Sequence, residues 1–595
     1  MSINTQSLQP LINFIYSIAD QILINTYEPS KYKDVILPMT VIRRLDAVLE
    51  PTKEKVLQSH KKFKSELNDL TKVLTSKQTG SGLAFYNTSK YTLKTLLDDP
   101  KNLRSNFENY LNGFSDNVQD IISKFKFRNE IETLADANKL FSSIEKFVSP
   151  KIDLRPDSLP ALAMGYVFED LLRRFNEATN AEAGRHFTPR EIIELMTHLL
   201  FLPVKKEIQS GTFLIYDPCA GSGAMLTESK KYITDEEGEI KSKAKIHLYG
   251  QENTPTIYAI SKSDMLLKGE DPEKIVFGST LSQYGFDKNM KFDFMLTNPP
   301  YGTSWADDKK TLGTGEKGKI TDSRFKVGKG VNEKVVVSRV NDGQLMFVMH
   351  MLSKMKDTES GSRIASVHNG SALFTGDAGQ GESEIRKHFI TNDLLEAIIA
   401  LPNDIFYNTG IPTYIFIFSN RKPKHRKRKI QLINSNGDKF FSKMRKSLGS
   451  KRNELRKEHI DEITRIYLKF EENEYSKIFD NDDFGFSQII VHRPERDESG
   501  NIIYAGKGKQ KSDAKLRDTE NIPLKNNIQE FFEKEVLPFA PDAWWDEEET
   551  RIGFEINFNK YFYKYVPPRS LKEIANDLFS IEEETENLLK EIVES

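Results

Sequence analysis

The sequence predicts a doubly wound α/β sheet, preceded by a helical domain and followed by a helical tail. From about residue 210 to 435, short β-rich runs alternate with segments of helical periodicity, as in parallel strands joined by crossover helices. Apolar residues recur at helical spacing before residue 165 and again at the end of the chain. The predicted divisions are an N-terminal helical domain at 1–165, the sheet domain at 166–435, a charged region at 436–568 and a C-terminal helix at 569–595.

Length and composition describe a multidomain globular protein. The chain has 595 residues, of which 38% are hydrophobic and 29% charged, so we expect two to four domains. The formal net charge of −2 excludes a global positive field, so any contact with DNA must use local basic patches. A single cysteine excludes an internal disulfide, and we find no metal-binding pattern. Without a signal peptide or a long apolar stretch, we expect a cytoplasmic protein with no membrane contact.

The predicted elements follow in chain order. "LQPLINFIYSIADQILI" and "LPMTVIRRLDAVLE" indicate helices of the N-terminal domain. Seven runs indicate strands of the sheet: "TFLIYDP", "KIHLYGQE", "KIVFGST", "FDFMLTN", "RIASVHN", "LLEAIIALP" and "PTYIFIFS". The intervening helices are "AMLTESKKYI", "TIYAISKSDMLLKG" and "GQLMFVMHMLSKMK". Ligands of such sheets bind at the carboxyl ends of the strands, so the residues that follow the strands are the candidates for a site.

The first strand leads into a glycine-rich turn, "IYDPCAGSGAML" at 215–226. Gly221 and Gly223 flank Ser222 and allow the backbone to approach a ligand closely at the start of a helix. Asp217, at the strand end, could bind the polar end of that ligand. An ordinary turn without a ligand is the alternative for these residues alone, and Cys219 is interpreted as a small turn residue.

The second strand ends in "LYGQEN", which places Glu252 at its tip. An acidic residue at this point can hold ribose hydroxyls. Its distance from Asp217 is 252 − 217 = 35 residues, longer than the usual separation of roughly 20, and the insert "DEEGEIKSK" accounts for the difference. Without the other motifs, solvent exposure is an equal alternative for Glu252.

The fourth strand ends in "LTNPPYGTSW", where Asn298 is followed by two prolines and Tyr301. The Asn298 side chain and the Pro299 carbonyl offer two acceptors, which could hold both hydrogens of an exocyclic amine. Tyr301 could stack on the flat ring that carries the amine. A strand end without chemistry is the alternative.

Two basic stretches resemble binding motifs without fulfilling them. "GTGEKGKI" at 313–320 ends in Ile320 where a phosphate-binding loop requires Ser or Thr, and no strand precedes it, so we interpret it as a mobile Lys/Gly loop. "RKPKHRKRK" at 421–429 is either a solvated hairpin loop or a phosphate contact.

The tail "RSLKEIANDLFSIEEETENLLKEIVES" begins with a capping box, Ser570 and Glu573. A seam with steps of three and four follows: Leu571, Ile574, Leu578, Ile581, Thr585, Leu588 and Ile592. Such a heptad seam predicts packing against a partner helix. Packing on the core of the same chain is the alternative.

These motifs together resemble the amino-methylating DNA methyltransferases that use S-adenosylmethionine. The segment "GRHFTPREIIELM" at 184–196 belongs to the same resemblance. Three further segments, together with the helical N-terminus, resemble the methylation subunit of type I restriction–modification systems: "VFEDLLRRFNEATNAEAGRHFTPREI", "LLEAIIALPNDIFYNTGIPTYIFIFS" and "GFEINFNKYFYKYVPPRSLKEI". The resemblance implies a Rossmann-like S-adenosylmethionine-dependent methyltransferase sheet and N6-adenine methylation of DNA. It also implies double-stranded DNA, a specificity (S) subunit, a second copy of the chain and a restriction (R) subunit as partners.

The resemblance assigns roles to individual positions. Catalysis is implied for Asn298, Pro299, Pro300 and Tyr301. Binding of S-adenosylmethionine is implied for Arg185, His186, Phe187, Thr188, Pro189, Arg190, Asp217, Gly221, Ser222, Gly223, Ala224, Glu252 and Ser279. Ser279 departs from the pattern, because the family usually has an acidic residue there.

Three rival functions remain open from the sequence. A protein glutamine methyltransferase could use the same acceptors, although that family is shorter and lacks the "RHFTPR" segment. A cytosine N4 methyltransferase is disfavoured by asparagine at position 298. The chain could also be a DNA-clamping scaffold with little activity alone, which intact cofactor motifs argue against.

Overall fold

A computed structural model describes residues 5–178, 188–315, 318–328, 333–407, 409–563 and 570–594. The chain divides into two compact units, Met1–Ile556 and Asn557–Ser595. Among the described residues, no helix is both long and apolar enough to cross a membrane.

The N-terminal part is helical, as predicted. Its helices are α1 (Thr5–Ile18), α2 (Tyr32–Leu49), α3 (Lys53–Phe63), α4 (Thr71–Thr75), α5 (Leu103–Asn112), α6 (Asp116–Phe125), α7 (Phe127–Asp136), α8 (Leu140–Phe147) and α9 (Ala161–Ala178). The two segments with helical periodicity form α1 and α2. Apolar side chains of α1, α2 and α5 to α9 share one core, which burial from water stabilises.

All seven predicted strands lie in one nine-stranded sheet. The strands of the first unit are β1 (Thr212–Asp217), β2 (Lys245–Glu252), β3 (Ile275–Phe277), β4 (Phe294–Thr297), β5 (Lys326–Val327), β6 (Lys334–Val335), β7 (Arg363–Asn369), β8 (Leu395–Ala400), β9 (Thr413–Ser419), β10 (Lys429–Asn434), β11 (Ser442–Leu448), β12 (Lys451–Glu454), β13 (Ser476–Asp480), β14 (Gly485–Val491), β15 (Asp518–Pro523) and β16 (Arg551–Phe554). The order in the main sheet is β13-β10-β8-β9-β7-β4-β1-β2-β3.

The register of the main sheet explains where a ligand can bind. β3, β2, β1, β4 and β7 pair in parallel, whereas β9 runs antiparallel to both of its neighbours, β7 and β8. The strand order reverses between β1 and β4, which are adjacent although β2 and β3 separate them in sequence. In an open α/β sheet, the carboxyl ends on either side of such a reversal form a crevice.

The helices after residue 188 include the three that the sequence predicts, namely α11, α12 and α14. They are α10 (Arg190–Phe201), α11 (Ala224–Thr234), α12 (Pro255–Leu267), α13 (Ala306–Leu312), α14 (Gln344–Ser353), α15 (Ser371–Phe374), α16 (Gly381–Thr391), α17 (Lys457–Lys469) and α18 (Ile528–Phe531). α10 and α11 share the main apolar core with the sheet. α12 also packs on the N-terminal domain, where Asp120 accepts hydrogen bonds from Tyr258 at 2.8 Å and Lys262 at 3.0 Å.

The main sheet continues past residue 435, the predicted end of the sheet domain. β13 pairs antiparallel with β10, so residues 476–480, which the sequence places in the charged region, belong to this sheet. Beyond it, β14 pairs with β15 and β16 in a separate three-stranded sheet. The small sheet has its own apolar core around Ile489 and Ile522.

The second unit contains α19 (Phe558–Phe562) and α20 (Leu571–Glu594). The predicted capping box is present: the Ser570 backbone N–H donates to Glu573 Oε2 at 2.9 Å, and the Glu573 N–H donates to Ser570 Oγ at 3.2 Å. Such reciprocal bonds satisfy N–H groups that a helix start leaves without intrahelical partners. Leu571, Leu578 and Ile581 of the predicted seam are exposed in the structure.

Candidate active site

The carboxyl ends of β1, β2 and β4 bring together three candidates that lie far apart in sequence. Asp217 ends β1, Glu252 ends β2, and Asn298 directly follows β4. Thr297 links two of these ends, because its hydroxyl donates to Asp217 Oδ1 at 2.8 Å. The predicted nucleoside and amine sites therefore meet at one edge of the sheet, beside the strand-order reversal.

The glycine-rich turn has two glycines with different surroundings. Gly221 and Gly223 both have positive φ, 54° and 84°, which favours glycine. A Cβ at Gly223 would lie 2.6 Å from Met265 Cε and 2.9 Å from Ser261 Oγ, both on α12. A Cβ at Gly221 would meet only the Cys219 carbonyl, at 3.9 Å. Gly223 thus lets the turn pack on α12, whereas the position of a Cβ at Gly221 has only one neighbouring atom within 4 Å.

Asp217 braces the turn from inside the protein. Its Oδ1 accepts from the Cys219 N–H at 2.9 Å as well as from Thr297, and the side chain is buried. Burial, with a smaller contribution from the negative charge of Glu252, raises the pKa of Asp217 from 3.8 to about 7.

The Glu252 carboxylate accepts hydrogen bonds from two backbone amides. Its Oε2 accepts from the Gly221 N–H at 3.1 Å, and its Oε1 accepts from the Thr254 N–H at 2.7 Å. Each carboxylate oxygen can accept more than one hydrogen bond, so ribose hydroxyls could bind without displacing these amides. The bond to Gly221 also ties the end of β2 to the glycine-rich turn.

One end of the Asn298 side-chain amide has a hydrogen-bond partner, and the other end has none among the described residues. Its Nδ2 donates to Thr188 Oγ1 at 3.0 Å. Its Oδ1 is buried, and no donor among the described residues reaches it. Because an orphaned buried acceptor is costly, most native proteins give such an atom a partner. The group therefore fits a ligand that brings a hydrogen-bond donor.

The rest of the loop is buried and anchored at its far end. Pro299 is buried, Pro300 is half-buried, and the Tyr301 ring is only 4% exposed. Burial raises the pKa of the Tyr301 hydroxyl, which therefore stays protonated. After the loop, the Gly302 N–H donates to Asp342 Oδ1 at 3.2 Å. Gln344 and Ser371 in turn donate to Asp342 Oδ2, so the anchor is itself held in place.

The segment before α10 links the loop to the glycine-rich turn. Arg190, the first residue of α10, donates to Glu169 Oε1 at 2.5 Å and to Glu228 Oε1 at 2.8 Å. Ser222 Oγ donates to the same Glu169 oxygen at 3.1 Å. Arg190 thus neutralises two carboxylates beside the turn, and Pro189 is buried next to it. Arg185, His186 and Phe187 lie outside the described residues.

The remaining predicted positions line the same region. Ala224 is the first residue of α11, immediately after Gly223, and is buried. Ser279 follows β3 and is half-buried, and its carbonyl accepts from the Gln283 N–H at 2.9 Å. Every predicted site residue that the structure describes therefore lies in the turn, at the ends of β2 to β4 or at the start of α10.

Sequence reasoning missed two residues that hold the site. Glu169 contacts Ser222 across 53 residues of sequence, and Asp342 contacts Gly302 across 40. Glu169 lies in "VFEDLLRRF", a segment whose only signal in the sequence is its resemblance to type I methylation subunits. Acidic residues on helices or in loops are ordinarily solvated, so no local signal distinguished Glu169 on α9 or Asp342 before α14.

The two basic stretches differ in structure. α13 precedes the "GTGEKGKI" segment, so the strand that a phosphate-binding loop requires is not there. In the 421–429 run, Lys422 and Arg426 are buried. Lys422 pairs with Asp393 at 2.6 Å, and Arg426 donates to Gln431 at 3.1 Å. The run is therefore partly structural, and its exposed members are Arg421, Lys424, Lys427, Arg428 and Lys429. No cluster of potential metal ligands occurs in the described residues.

Comparison with known proteins identifies the fold and the family. The family model described as N-6 DNA Methylase matches residues 161–489, and that described as HsdM N-terminal domain matches residues 11–147. The methyltransferase subunit of a type I restriction–modification system from Streptococcus thermophilus superposes with a TM-score of 0.58 at 21% identity, covering 81% of this chain and 97% of that one. This likeness confirms the predicted fold, a Rossmann-like methyltransferase sheet with an N-terminal helical region.

Sequence relatives point to the same group. The type I restriction enzyme MjaIX methylase subunit of Methanocaldococcus jannaschii is 26% identical over 424 residues, 71% of this chain and 67% of the relative. The HindI methylase subunit of Haemophilus influenzae is 30% identical over 305 residues, 50% of this chain and 59% of the relative. Because the N-6 DNA methylase model spans more than half of its length, the chain belongs to the N-6 DNA methylase family, among the methylation subunits of type I restriction–modification systems.

Proposed function

We propose that the chain binds S-adenosylmethionine at the glycine-rich turn and Glu252, and methylates N6 of an adenine flipped out of double-stranded DNA. The single observation that carries this proposal is the buried Oδ1 of Asn298, which no donor among the described residues reaches. An exocyclic amine is the donor that fits, since it brings N–H groups to that oxygen. Membership of the N-6 DNA methylase family supports adenine N6 as the acceptor.

The residues of the site have separate tasks in this reaction. Asn298 Oδ1 and the Pro299 carbonyl accept the two amine hydrogens, which directs the nitrogen lone pair away from them. Tyr301 stacks on the flipped base and offsets part of the cost of unstacking. S-adenosylmethionine supplies a methyl group on a positively charged sulfur. Transfer of that methyl group to the amine nitrogen would leave S-adenosylhomocysteine and would release one proton from the nitrogen to solvent. The residues of this chain would therefore act mainly by positioning and desolvation.

The cofactor fits the residues present. The space beside Gly221 accepts a ligand close to the backbone, and the start of α11 after Gly223 adds N–H groups to the crevice. Glu252 keeps acceptor capacity for ribose hydroxyls. Arg185 to Arg190 remain assigned by resemblance as the segment around the methionine part, and Ser279 as the residue facing the adenine ring.

The proposed partners are double-stranded DNA, a specificity subunit, a second copy of the chain and a restriction subunit. The names of the relatives, which call each a subunit, support a larger assembly. The exposed seam of α20 supports a helical contact with the specificity subunit. The restriction subunit and the second copy rest on the resemblance alone.

One experiment tests the proposed function against its rivals. The chain is purified with its associated proteins and incubated with S-adenosylmethionine that carries an isotopically labelled methyl group, DNA and protein substrates. Mass spectrometry of digested DNA should give labelled N6-methyladenine, and the Asn298→Ala variant should not. Label in protein glutamine or in N4-methylcytosine, or no label at all, would contradict the proposal.

A further inference from the structure

We propose that Thr188 is a positioning residue that orients the Asn298 side-chain amide so that its oxygen faces the target amine. This inference rests on the proposed function, because it concerns the same amine acceptor. Thr188 Oγ1 accepts from Asn298 Nδ2 at 3.0 Å, although the two residues are 110 positions apart. At the opposite end of the amide, Oδ1 is buried, and among the described residues it has no donor.

The argument depends on the asymmetry of a carboxamide. One end carries two N–H donors and the other a carbonyl acceptor, yet the two ends have nearly the same shape. In the reversed orientation, the amide N–H groups would face the N–H groups of the target amine and could form no hydrogen bond with it. A hydroxyl can accept from the amide nitrogen or donate to the amide oxygen, so the Thr188 hydroxyl alone does not select the orientation. Only when it accepts from the nitrogen does the oxygen stay available to the amine, and both ends of the amide are then satisfied once the amine binds.

The position of Thr188 is itself fixed. Pro189 follows it with a restricted backbone, and α10 begins at Arg190. The Arg190 guanidinium is held by Glu169 and Glu228, and it lies 4.5 Å from the centre of the Tyr166 ring. The hydroxyl is therefore attached to a backbone segment that ion pairs and burial hold in place. Such preorganisation makes a single hydrogen bond effective in orienting a reacting group.

The test compares Thr188→Val, which removes the hydroxyl at nearly constant shape, with Thr188→Ser, which keeps it. Both are measured in the complex with the co-purifying subunits, at saturating S-adenosylmethionine and DNA. We expect Thr188→Val to lower the single-turnover methylation rate about tenfold, as the loss of a hydrogen bond worth about 1.4 kcal/mol would do. Thr188→Ser should stay within about twofold of the wild type. Because the rate is measured at saturating S-adenosylmethionine, a change in cofactor affinity alone leaves it unaltered, and calorimetry records that affinity separately.

Several outcomes would overturn the inference. They are an unchanged rate for Thr188→Val, a rate for Thr188→Ser as low as that of Thr188→Val, and a loss confined to cofactor affinity. The last would make Thr188 a cofactor contact. Thermal melting checks folding, and if Thr188→Val melts lower, Thr188→Ala repeats the test without the added methyl group.

Failure of the proposed function would look different. Two results would refute the proposed function and this inference together. One is a wild-type complex that forms no N6-methyladenine in DNA, and the other is an Asn298→Ala variant that methylates DNA as fast as the wild type. A wild type that depends on Asn298 but not on the Thr188 hydroxyl would refute only the inference.

Discussion

Asn298 is the residue on which the proposed chemistry most depends. We expect Asn298→Ala to lower the single-turnover methylation rate by about 10²–10³-fold, by analogy with the loss of one preorganised hydrogen-bonding group from an active site. The affinity for S-adenosylmethionine should change less than about twofold, because the amide oxygen is proposed to contact the target amine and not the cofactor. Titration calorimetry beside the rate measurement separates the two effects. An equal loss of rate and cofactor affinity would mean that the loop belongs to the cofactor site.

Asp217 should make the stability of the protein depend on pH. Its pKa is raised from 3.8 to about 7, so the folded chain binds this proton more tightly than the unfolded chain does. The resulting stabilisation is complete below pH 3.8 and falls as the pH rises through about 7. Asp217→Asn keeps an acceptor for Cys219 and Thr297 but cannot ionise. We therefore expect the melting temperature of wild type, relative to that variant, to fall between pH 5 and pH 8. A constant difference would exclude a raised pKa.

The glycine-rich turn offers a matched pair of variants. Gly221→Ala and Gly223→Ala each place a side chain at positive φ, at a cost of roughly 1–2 kcal/mol. Only the second also collides with Met265 and Ser261 of α12. We expect Gly223→Ala to unfold at lower denaturant concentration than Gly221→Ala. Gly221→Ala should instead bind S-adenosylmethionine more weakly, because its methyl group enters the space proposed for the ligand. Unfolding of the two variants at the same denaturant concentration would mean that Met265 and Ser261 of α12 move aside without loss of stability.

Alanine variants of Glu169 and Glu228 test whether α9 stabilises the glycine-rich turn through Glu169. Both accept from Arg190, but the Ser222 hydroxyl donates to Glu169. Replacing Glu169 by Ala should weaken binding of S-adenosylmethionine about 3–10-fold, since one hydrogen bond to the turn is lost. Glu228→Ala removes a similar ion pair with Arg190 and serves as the control. Calorimetry should show a smaller loss of affinity for S-adenosylmethionine in this variant. Equal losses of affinity in the two variants would mean that the ion pairs with Arg190, and not the hydrogen bond from Ser222, are responsible.

At the scale of the whole molecule, the tail is expected to govern assembly. α20 exposes Leu571, Leu578 and Ile581, and burying each fully would contribute roughly 1.5–3 kcal/mol. We expect a chain without residues 570–595 to stay folded and to bind S-adenosylmethionine, yet to lose the specificity subunit. Co-purification and calorimetry measure the two properties.

Point variants sharpen this test of the tail. Ile581→Asp places a charge in the seam, and Ser580→Asp places the same charge beside it, so only the first should abolish co-purification. A truncated chain that keeps its partner would exclude the tail as the contact, and one that unfolds would assign the tail to the core of its own chain.

Local pattern predicted most of the main sheet. Each of its seven predicted strands is a short β-rich run that local pattern identifies, whereas their order depends on pairings between strands that are distant in sequence. The continuation through β13 was missed because an antiparallel edge strand at 476–480 lies in a charged sequence without a strong pattern. Motifs predicted Asp217, Glu252 and Asn298, since the first two end a strand and the third directly follows one. Glu169 and Asp342 were not found, because their partners are distant in sequence and no local signal marks the contact.

Cys219, the only cysteine of the chain, has a practical consequence for spectroscopy. It lies in the glycine-rich turn, where burial and the charges of Asp217 and Glu252 raise the pKa of its thiol well above the usual value. Since the thiolate is the form that reacts with maleimides, the native sulfur should be labelled slowly. A cysteine introduced at an exposed position, such as Ser580, would then take up a fluorophore selectively. Energy transfer or anisotropy could follow subunit association in real time without removal of the native cysteine.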